Sequence, residues 1–252
     1  MKLRILGCGT STGVPVIGCH CGVCTSKDPR NKRMRSSALV RTNGKNILID
    51  TSTDLRSQSL ANGIERIDSV LFTHPHADHI HGIDDLRAFN LTQNAEIPCY
   101  GSLHTVERIK VMFDYIFRVD SYDGWKPRLS MTAVDSPFEA SGVTVVPVGI
   151  LHGSARIFGY RIGSMAYLTD CSSIPEESLG LLEGLEVLVL GALRHKPHPT
   201  HFTIEQAVEA SRAIKAKRTF FTHLGHSLDY TKDNSLLPDG IELAYDGLEV
   251  EF

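Results

Sequence analysis

Short apolar runs recur along the chain, at Leu3 to Leu6, Ala38 to Arg41, Ile47 to Ile49, Val70 to Thr73, Val143 to Val148, Ala166 to Thr169, Val187 to Leu190 and Thr219 to Thr222. Each is rich in Val, Ile, Leu or Phe and bounded by Gly, Asp, Asn or His, the pattern of strands buried in a sheet. Helical spacing appears between them. Val106, Ile109, Phe113 and Ile116 make one apolar stripe. Thr203, with Gln206 three residues on, forms a capping box that starts a second helix, with Ile204, Ala207, Val208 and Ile214 facing inward. The stretch from Glu96 to Val146 reads as a compact helix and loops. Strands followed by helices predict an α/β fold. The 252 residues carry no internal repeat or long linker and suffice for a large core, so residues 1–252 are read as a single domain.

The polar residues that end these runs repeat a chemical theme. Asp50 ends Ile47-Leu48-Ile49, His74 follows Val70 to Thr73, and His152 closely follows the run ending at Val148. Asp170 follows Tyr167-Leu168-Thr169, and His223 follows Phe220-Phe221-Thr222. Ligand-type side chains at the ends of five strands predict one rim on which they converge. Loops on such a rim commonly carry function.

Composition narrows the partners. The net charge of −3, with histidines neutral, argues against a broad nucleic-acid surface. One basic stretch, Lys27, Arg30, Lys32, Arg33 and Arg35, is offset only by Asp28 and is read as a solvated loop. There is no apolar run long enough to span a membrane, and the opening is too soon broken by Gly7 to be a secretory signal, which predicts a cytoplasmic protein. Cys8, Cys99 and Cys171 stand alone, whereas Cys19, Cys21 and Cys24 are crowded together. In a reducing compartment such crowding points to metal, not disulfides. A closed tetrahedral zinc site needs a fourth ligand. His226 is the candidate; His20 is the alternative, strained by its cysteine neighbours on both sides.

The strongest local signal is His74-Pro75-His76-Ala77-Asp78-His79. In a turn after a strand this spacing can send His74 and His76 to one ion and Asp78 and His79 to another. Imidazole and carboxylate suit zinc, manganese or iron, and paired ions can sit roughly 3.5–4 Å apart. The bland alternative is a polar loop of hydrogen-bonded histidines. The HxHxDH motif and the ordered strand-end ligands resemble the metallo-β-lactamase superfamily. That resemblance implies an αββα sandwich with two divalent ions at one edge. It places His74, His76 and His152 on the first ion and Asp78, His79 and His223 on the second, with Asp170 bridging. Asp50 matches an aspartate that orients the loop without binding metal. His81 has no role in the family pattern and is expected to be structural or exposed.

Three further features point to a branch. The cysteine triad with His226 is the first. The glycine-rich opening Gly7-Cys8-Gly9-Thr10-Ser11-Thr12-Gly13 is the second; it departs from GxGxxG, because its third glycine comes one position late. It resembles the first turn of the phosphodiesterase and transfer-RNA 3′-processing branches, although a tight structural turn explains it nearly as well. The third is His201-Phe202-Thr203, matching a histidine that faces the leaving group, with His195 and His198 as rivals for that place. Together these resemble the group containing the phosphoribosyl cyclic phosphodiesterase of the carbon–phosphorus lyase pathway. The resemblance implies a manganese or zinc pair, one structural zinc, a small phosphodiester substrate such as phosphoribosyl 1,2-cyclic phosphate, and a homodimer. A hydroxide shared by the ions would attack phosphorus, with Asp78 and His201 as the catalytic side chains. Arg194 and Lys196 are read as phosphate contacts or exposed structural positions. The alternatives are a transfer-RNA 3′-end endonuclease, a thioester or lactone hydrolase of the same fold, and a non-catalytic metal-binding domain.

Overall fold

The computed structural model describes residues 1–118 and 125–252. Its strands form two seven-stranded sheets. The first runs β14 (Glu249–Glu251), β1 (Lys2–Gly7), β2 (Ser37–Thr42), β3 (Lys45–Ile49), β4 (Ser69–Leu71), β5 (Ile97–Gly101) and β6 (Leu129–Ala133). The second runs β13 (Ile241–Leu243), β12 (Arg218–Thr222), β11 (Val187–Gly191), β10 (Met165–Leu168), β9 (Ala155–Ile162), β8 (Val143–His152) and β7 (Phe138–Ala140). In each sheet parallel strands, β3 to β6 or β10 to β13, continue into antiparallel ones. The two halves therefore share a topology although their sequences show no repeat.

Side-chain alternation explains the layering. Leu3, Ile5, Val40, Ile47, Ile49 and Leu71 face the second sheet and share a core with Val148, Ile150, Tyr160 and Leu168. Their neighbours Leu39, Leu48, Val70 and Phe72 face outward into a separate apolar cluster. That cluster is closed by Leu55 of α1 (Leu55–Ala61), Leu86 and Phe89 of α3 (Leu86–Gln93), and Ile109 of α4 (Leu103–Met112). The short α2 (Ala77–Ile80) sits in the loop after β4, and α5 (Asp114–Phe117) follows α4. On the second sheet, α6 (Glu176–Leu179) packs on β8 and α7 (Ile204–Ile214) on β11, while α8 (Tyr230–Asn234) lies beside β13. The result is an αββα sandwich.

All eight apolar runs lie in or at the end of strands. The capping box is formed as expected: Thr203 Oγ1 accepts from Gln206 N at 3.2 Å, and Gln206 Oε1 accepts from Thr203 N at 2.9 Å. Three expectations change. The stripe from Val106 to Ile116 is split, because Phe113 leaves helical geometry at φ −119° and ψ 43° between α4 and α5. The stretch from Glu96 to Val146 holds β5, β6, β7 and the start of β8 besides those helices; its residues 119–124 lie outside the described residues. Arg33 is not solvated but 2% exposed. Its guanidinium donates to Gly225 O (3.0 Å), Leu228 O (2.7 Å) and Asn31 Oδ1 (3.0 Å).

The C-terminal ends of β3, β4, β8, β10 and β12 open on one rim, the position where α/β sheets commonly bind ligands. Asp50 and Asp170 occupy the matching place in the two halves, just past β3 and β10, and both have left-handed backbones (φ 61° and 53°). His223, next after β12, does the same (φ 59°). Non-glycine residues held there carry strain of order 1–3 kcal/mol, which the packed strands must sustain. Gly191, at the end of β11, permits the close approach: a Cβ there would lie 2.9 Å from Asp170 N.

Candidate dinuclear metal centre

The rim gathers the motif and the later strand-end residues into two groups that share Asp170. His74, His76, His152 and Asp170 form one; Asp78, His79, Asp170 and His223 form the other. In the second group, His79 Nε2 lies 3.2 Å from Asp78 Oδ2 and 3.3 Å from Asp170 Oδ1. His223 Nε2 lies 3.5 Å from Asp78 Oδ2 and 3.3 Å from Asp170 Oδ2. For tetrahedral nitrogen and oxygen ligands at 2.0–2.1 Å, neighbouring donor atoms are about 3.3 Å apart. Asp78 Oδ2, His79 Nε2 and His223 Nε2 are buried with no hydrogen-bond partner. Buried polar atoms rarely go unpaired. Lone-pair donors converging at coordination spacing without partners fit a divalent ion.

Hydrogen bonds on the far side of each ring set its direction. Asp50 is fully buried; its Oδ1 accepts from Thr73 N (2.8 Å), and its Oδ2 accepts from both Thr73 Oγ1 (2.8 Å) and His79 Nδ1 (2.7 Å). Thr73 Oγ1 then accepts from His74 Nδ1 at 3.0 Å. Both histidines are thereby left with a bare Nε2 toward the centre. His152 Nδ1 donates to Asp170 O and Thr200 O, 2.9 Å each, with the same effect. Such outer partners fix tautomer and orientation in metal sites. Thr73 was not singled out from sequence, because a threonine before a histidine carries no distinguishing pattern.

The electrostatics follow from crowding. Burial works to raise the Asp170 carboxyl, but the facing His223, His79 and His74 rings outweigh it and hold it well below the usual range. Asp78 is held low in the same way by His79 and His223. His201 is pushed down to about 3 by burial, reinforced by His223, and is therefore neutral.

The structure separates the three rival histidines. His201 stacks on His223, with centroids 4.8 Å apart, and its Nδ1 lies 4.0 Å from Asp170 Oδ2. His198 sits 5.0 Å from the His201 ring, with its Nδ1 accepting from Thr200 N at 3.3 Å. His195 turns away to Glu205 (2.8 Å) and Asp233 (3.0 Å). His81 is exposed against Phe113.

A second cluster lies nearby. His226 Nδ1 is 3.3 Å from Cys19 Sγ and 3.6 Å from both Cys21 Sγ and Cys24 Sγ. A tetrahedral zinc with Zn–S near 2.3 Å and Zn–N near 2.0 Å has N···S edges of about 3.6 Å. The Cys24 backbone N–H, aided by His226, draws the Cys21 thiol down to about 6, toward the thiolate a metal needs. His20 is not in this group.

Residues 45–224 match the model of the beta-lactamase superfamily domain. The chain belongs to the metallo-β-lactamase superfamily. A solved structure of a new diphosphatase from the PhnP family is 46% identical, covers 100% of this chain and 97% of its own, and superposes with a TM-score of 0.93. A Porphyromonas gingivalis W83 protein named octanoyltransferase is 42% identical over 99% of this chain and 51% of its own length. A ribonuclease Z of Bradyrhizobium strain ORS 278 is 28% identical over 55% of this chain and 47% of its own length. The chain thus spans about half the length of these curated relatives. No helix among the described residues is long and apolar enough to cross a membrane.

Proposed function

We propose that the chain is a phosphodiesterase acting on a small cyclic sugar phosphodiester, of which phosphoribosyl 1,2-cyclic phosphate is the first candidate. The observation that carries this reading is His201. It is an imidazole beyond the two ligand groups, stacked on His223 and facing Asp170. Two divalent ions, manganese or zinc, would polarise a phosphoryl oxygen there and acidify water. Asp170 Oδ2 lies between the two groups, 3.7 Å from His74 Nε2 and 3.3 Å from His223 Nε2, its Oδ1 lies 3.3 Å from His79 Nε2, and Asp78 shares the second group with His79 and His223. His201 supplies an N–H to the phosphoryl oxygens while neutral. The negative charge of bound substrate raises its proton affinity, which suits it to hand a proton to the leaving sugar oxygen. The cysteine group, read as a structural zinc, anchors His226, three residues after His223. The 46% identity to a diphosphatase supports phosphorus over carbon as the electrophile.

An acyl substrate is the second reading, favoured by the relative named for octanoyl transfer. A substrate panel tests both: ribose 1,2-cyclic phosphate, a 2′,3′-cyclic nucleotide, a linear RNA diester, a thioester and a lactone. Each is run with metal-stripped protein and after restoring manganese or zinc. Metal-dependent preference for the ribose cyclic phosphate is expected. Turnover of the thioester or lactone alone would overturn the phosphodiesterase reading, and preference for the RNA diester would make this chain a nuclease.

A further inference from the structure

Three of the rim ligands follow directly on a threonine: Thr73 precedes His74, Thr169 precedes Asp170 and Thr222 precedes His223. All three threonines are fully buried, yet their hydroxyls do different things. Thr73 Oγ1 bonds Asp50 Oδ2 and His74 Nδ1, at 2.8 and 3.0 Å. Thr222 Oγ1 has no hydrogen-bond partner. Thr169 Oγ1 donates to Asp170 Oδ1 at 2.7 Å. A threonine beside a rim ligand therefore does not bond that ligand by default.

The Thr169 bond falls on the one carboxylate that both ligand groups share. Among the described residues, no other hydroxyl and no backbone N–H bonds to it. Oδ1, which accepts from Thr169, lies 3.3 Å from His79 Nε2. Oδ2 is left to face His223 Nε2 at 3.3 Å and His74 Nε2 at 3.7 Å, one ring from each group. Holding Oδ1 fixes the rotation of the carboxylate plane and so the place of Oδ2. The backbone beneath has little room to adjust. Asp170 is held at φ 53°, and a Cβ on Gly191 would lie 2.9 Å from Asp170 N and 3.4 Å from Thr169 C. The matching place in the other half gives the contrast. Asp50, which belongs to neither ligand group, is preceded by Ile49, a core residue with no hydroxyl to offer.

We infer that Thr169 is a positioning residue for the metal centre, its hydroxyl orienting the Asp170 carboxylate so that one oxygen serves both ligand groups. Ligating carboxylates depend on such outer hydrogen bonds for their orientation. Thr169 acts through Asp170 and touches no substrate. The inference rests on the rim being a dinuclear centre and holds whichever substrate that centre cleaves.

Two substitutions separate the hydroxyl from the methyl. Thr169→Val keeps the shape and loses the hydrogen bond; Thr169→Ser keeps the hydroxyl and loses the methyl. Each zinc-loaded protein is challenged with a chelator of known affinity, and the remaining zinc is counted by elemental analysis. Circular dichroism confirms the fold, and the cysteine group, unaltered in every variant, is the internal reference. Thr169→Val should hold both rim ions about 10–100-fold more weakly, the usual cost of a lost outer partner, while Thr169→Ser keeps most of the wild-type affinity. Should Thr169→Val fail to fold, Thr169→Ala carries the same expectation. Wild-type affinity in the folded hydroxyl-free variant would overturn the inference. So would a Thr169→Ser protein as weak as Thr169→Val, because packing of the methyl would then be what matters. A wild type that holds no zinc at the rim would remove the centre, and the inference with it. No substrate enters the assay, so failure of the phosphodiesterase reading would leave this result standing.

Discussion

Asp50 belongs to neither ligand group, yet one of its oxygens wires both. Oδ2 accepts from His79 Nδ1 at 2.7 Å and from Thr73 Oγ1 at 2.8 Å, and Thr73 passes the polarity to His74 Nδ1 at 3.0 Å. Asp50→Asn is nearly isosteric and reverses this wiring. Its carbonyl must stay at the Oδ1 position to meet Thr73 N, so its NH2 takes the place of Oδ2. That NH2 donates to Thr73 Oγ1 and to His79 Nδ1. Thr73 then turns its own hydrogen toward His74 Nδ1. Both imidazoles are driven to the tautomer with a proton on Nε2, the atom that faces the centre. Loss of an outer partner of this kind typically costs about 10–100-fold in metal affinity. His74 belongs to one group and His79 to the other, so both ions should weaken by about that factor, roughly 1.4–2.7 kcal/mol each. The assay is metal competition with a chelator of known affinity, read by elemental analysis, with circular dichroism confirming the fold. Unchanged affinity for both ions in a folded Asp50→Asn protein would refute the wiring.

Other outcomes follow from the same contacts. Cys21→Ala should remove one zinc equivalent and lower the melting temperature; unchanged zinc content and melting would refute the cysteine site. Arg33→Met leaves the carbonyls of Gly225 and Leu228 without their donor, and stranding each buried acceptor should cost about 1–3 kcal/mol in urea denaturation. A loss under about 1 kcal/mol would show that water replaces the guanidinium. His195 has its pKa raised by its bonds to Glu205 and Asp233. A raised pKa gives stability that is full below the unfolded value near 6.5 and is lost as pH rises through the folded value. The melting temperature of the wild type should therefore fall relative to His195→Gln between about pH 6 and pH 9; parallel profiles would contradict the clamp.

Apolar runs were legible where a strand is buried on both faces, as in β3, β4, β11 and β12. They were not where alternation or shortness hides the pattern. In β9, exposed or half-exposed Arg156 and Arg161 interrupt the apolar face, and Gly159 thins it because Leu168 packs where its Cβ would be. Pro98 and Gly101 disguise β5, and β14 contributes only Val250 to the core. At the candidate site, the HxHxDH spacing announced itself, but Asp170 and His223 gained meaning only from their order after strands. His201 was preferred over His195 and His198 from its place before the capped helix, and because all three share one loop, only their different partners in the structure set them apart geometrically. Arg33 was misjudged because a charged run carries no mark of the one member that turns inward to bind carbonyls.

The most direct test is the turnover of ribose 1,2-cyclic phosphate by wild type and His201→Ala, with bound metal counted in each. Both proteins should hold the same catalytic metal, and kcat should drop by roughly the 10²- to 10⁴-fold typical of a lost proton donor. Equal turnover, or loss of the metal along with the activity, would contradict the role given to His201 and with it the reading of this rim as a phosphodiesterase centre.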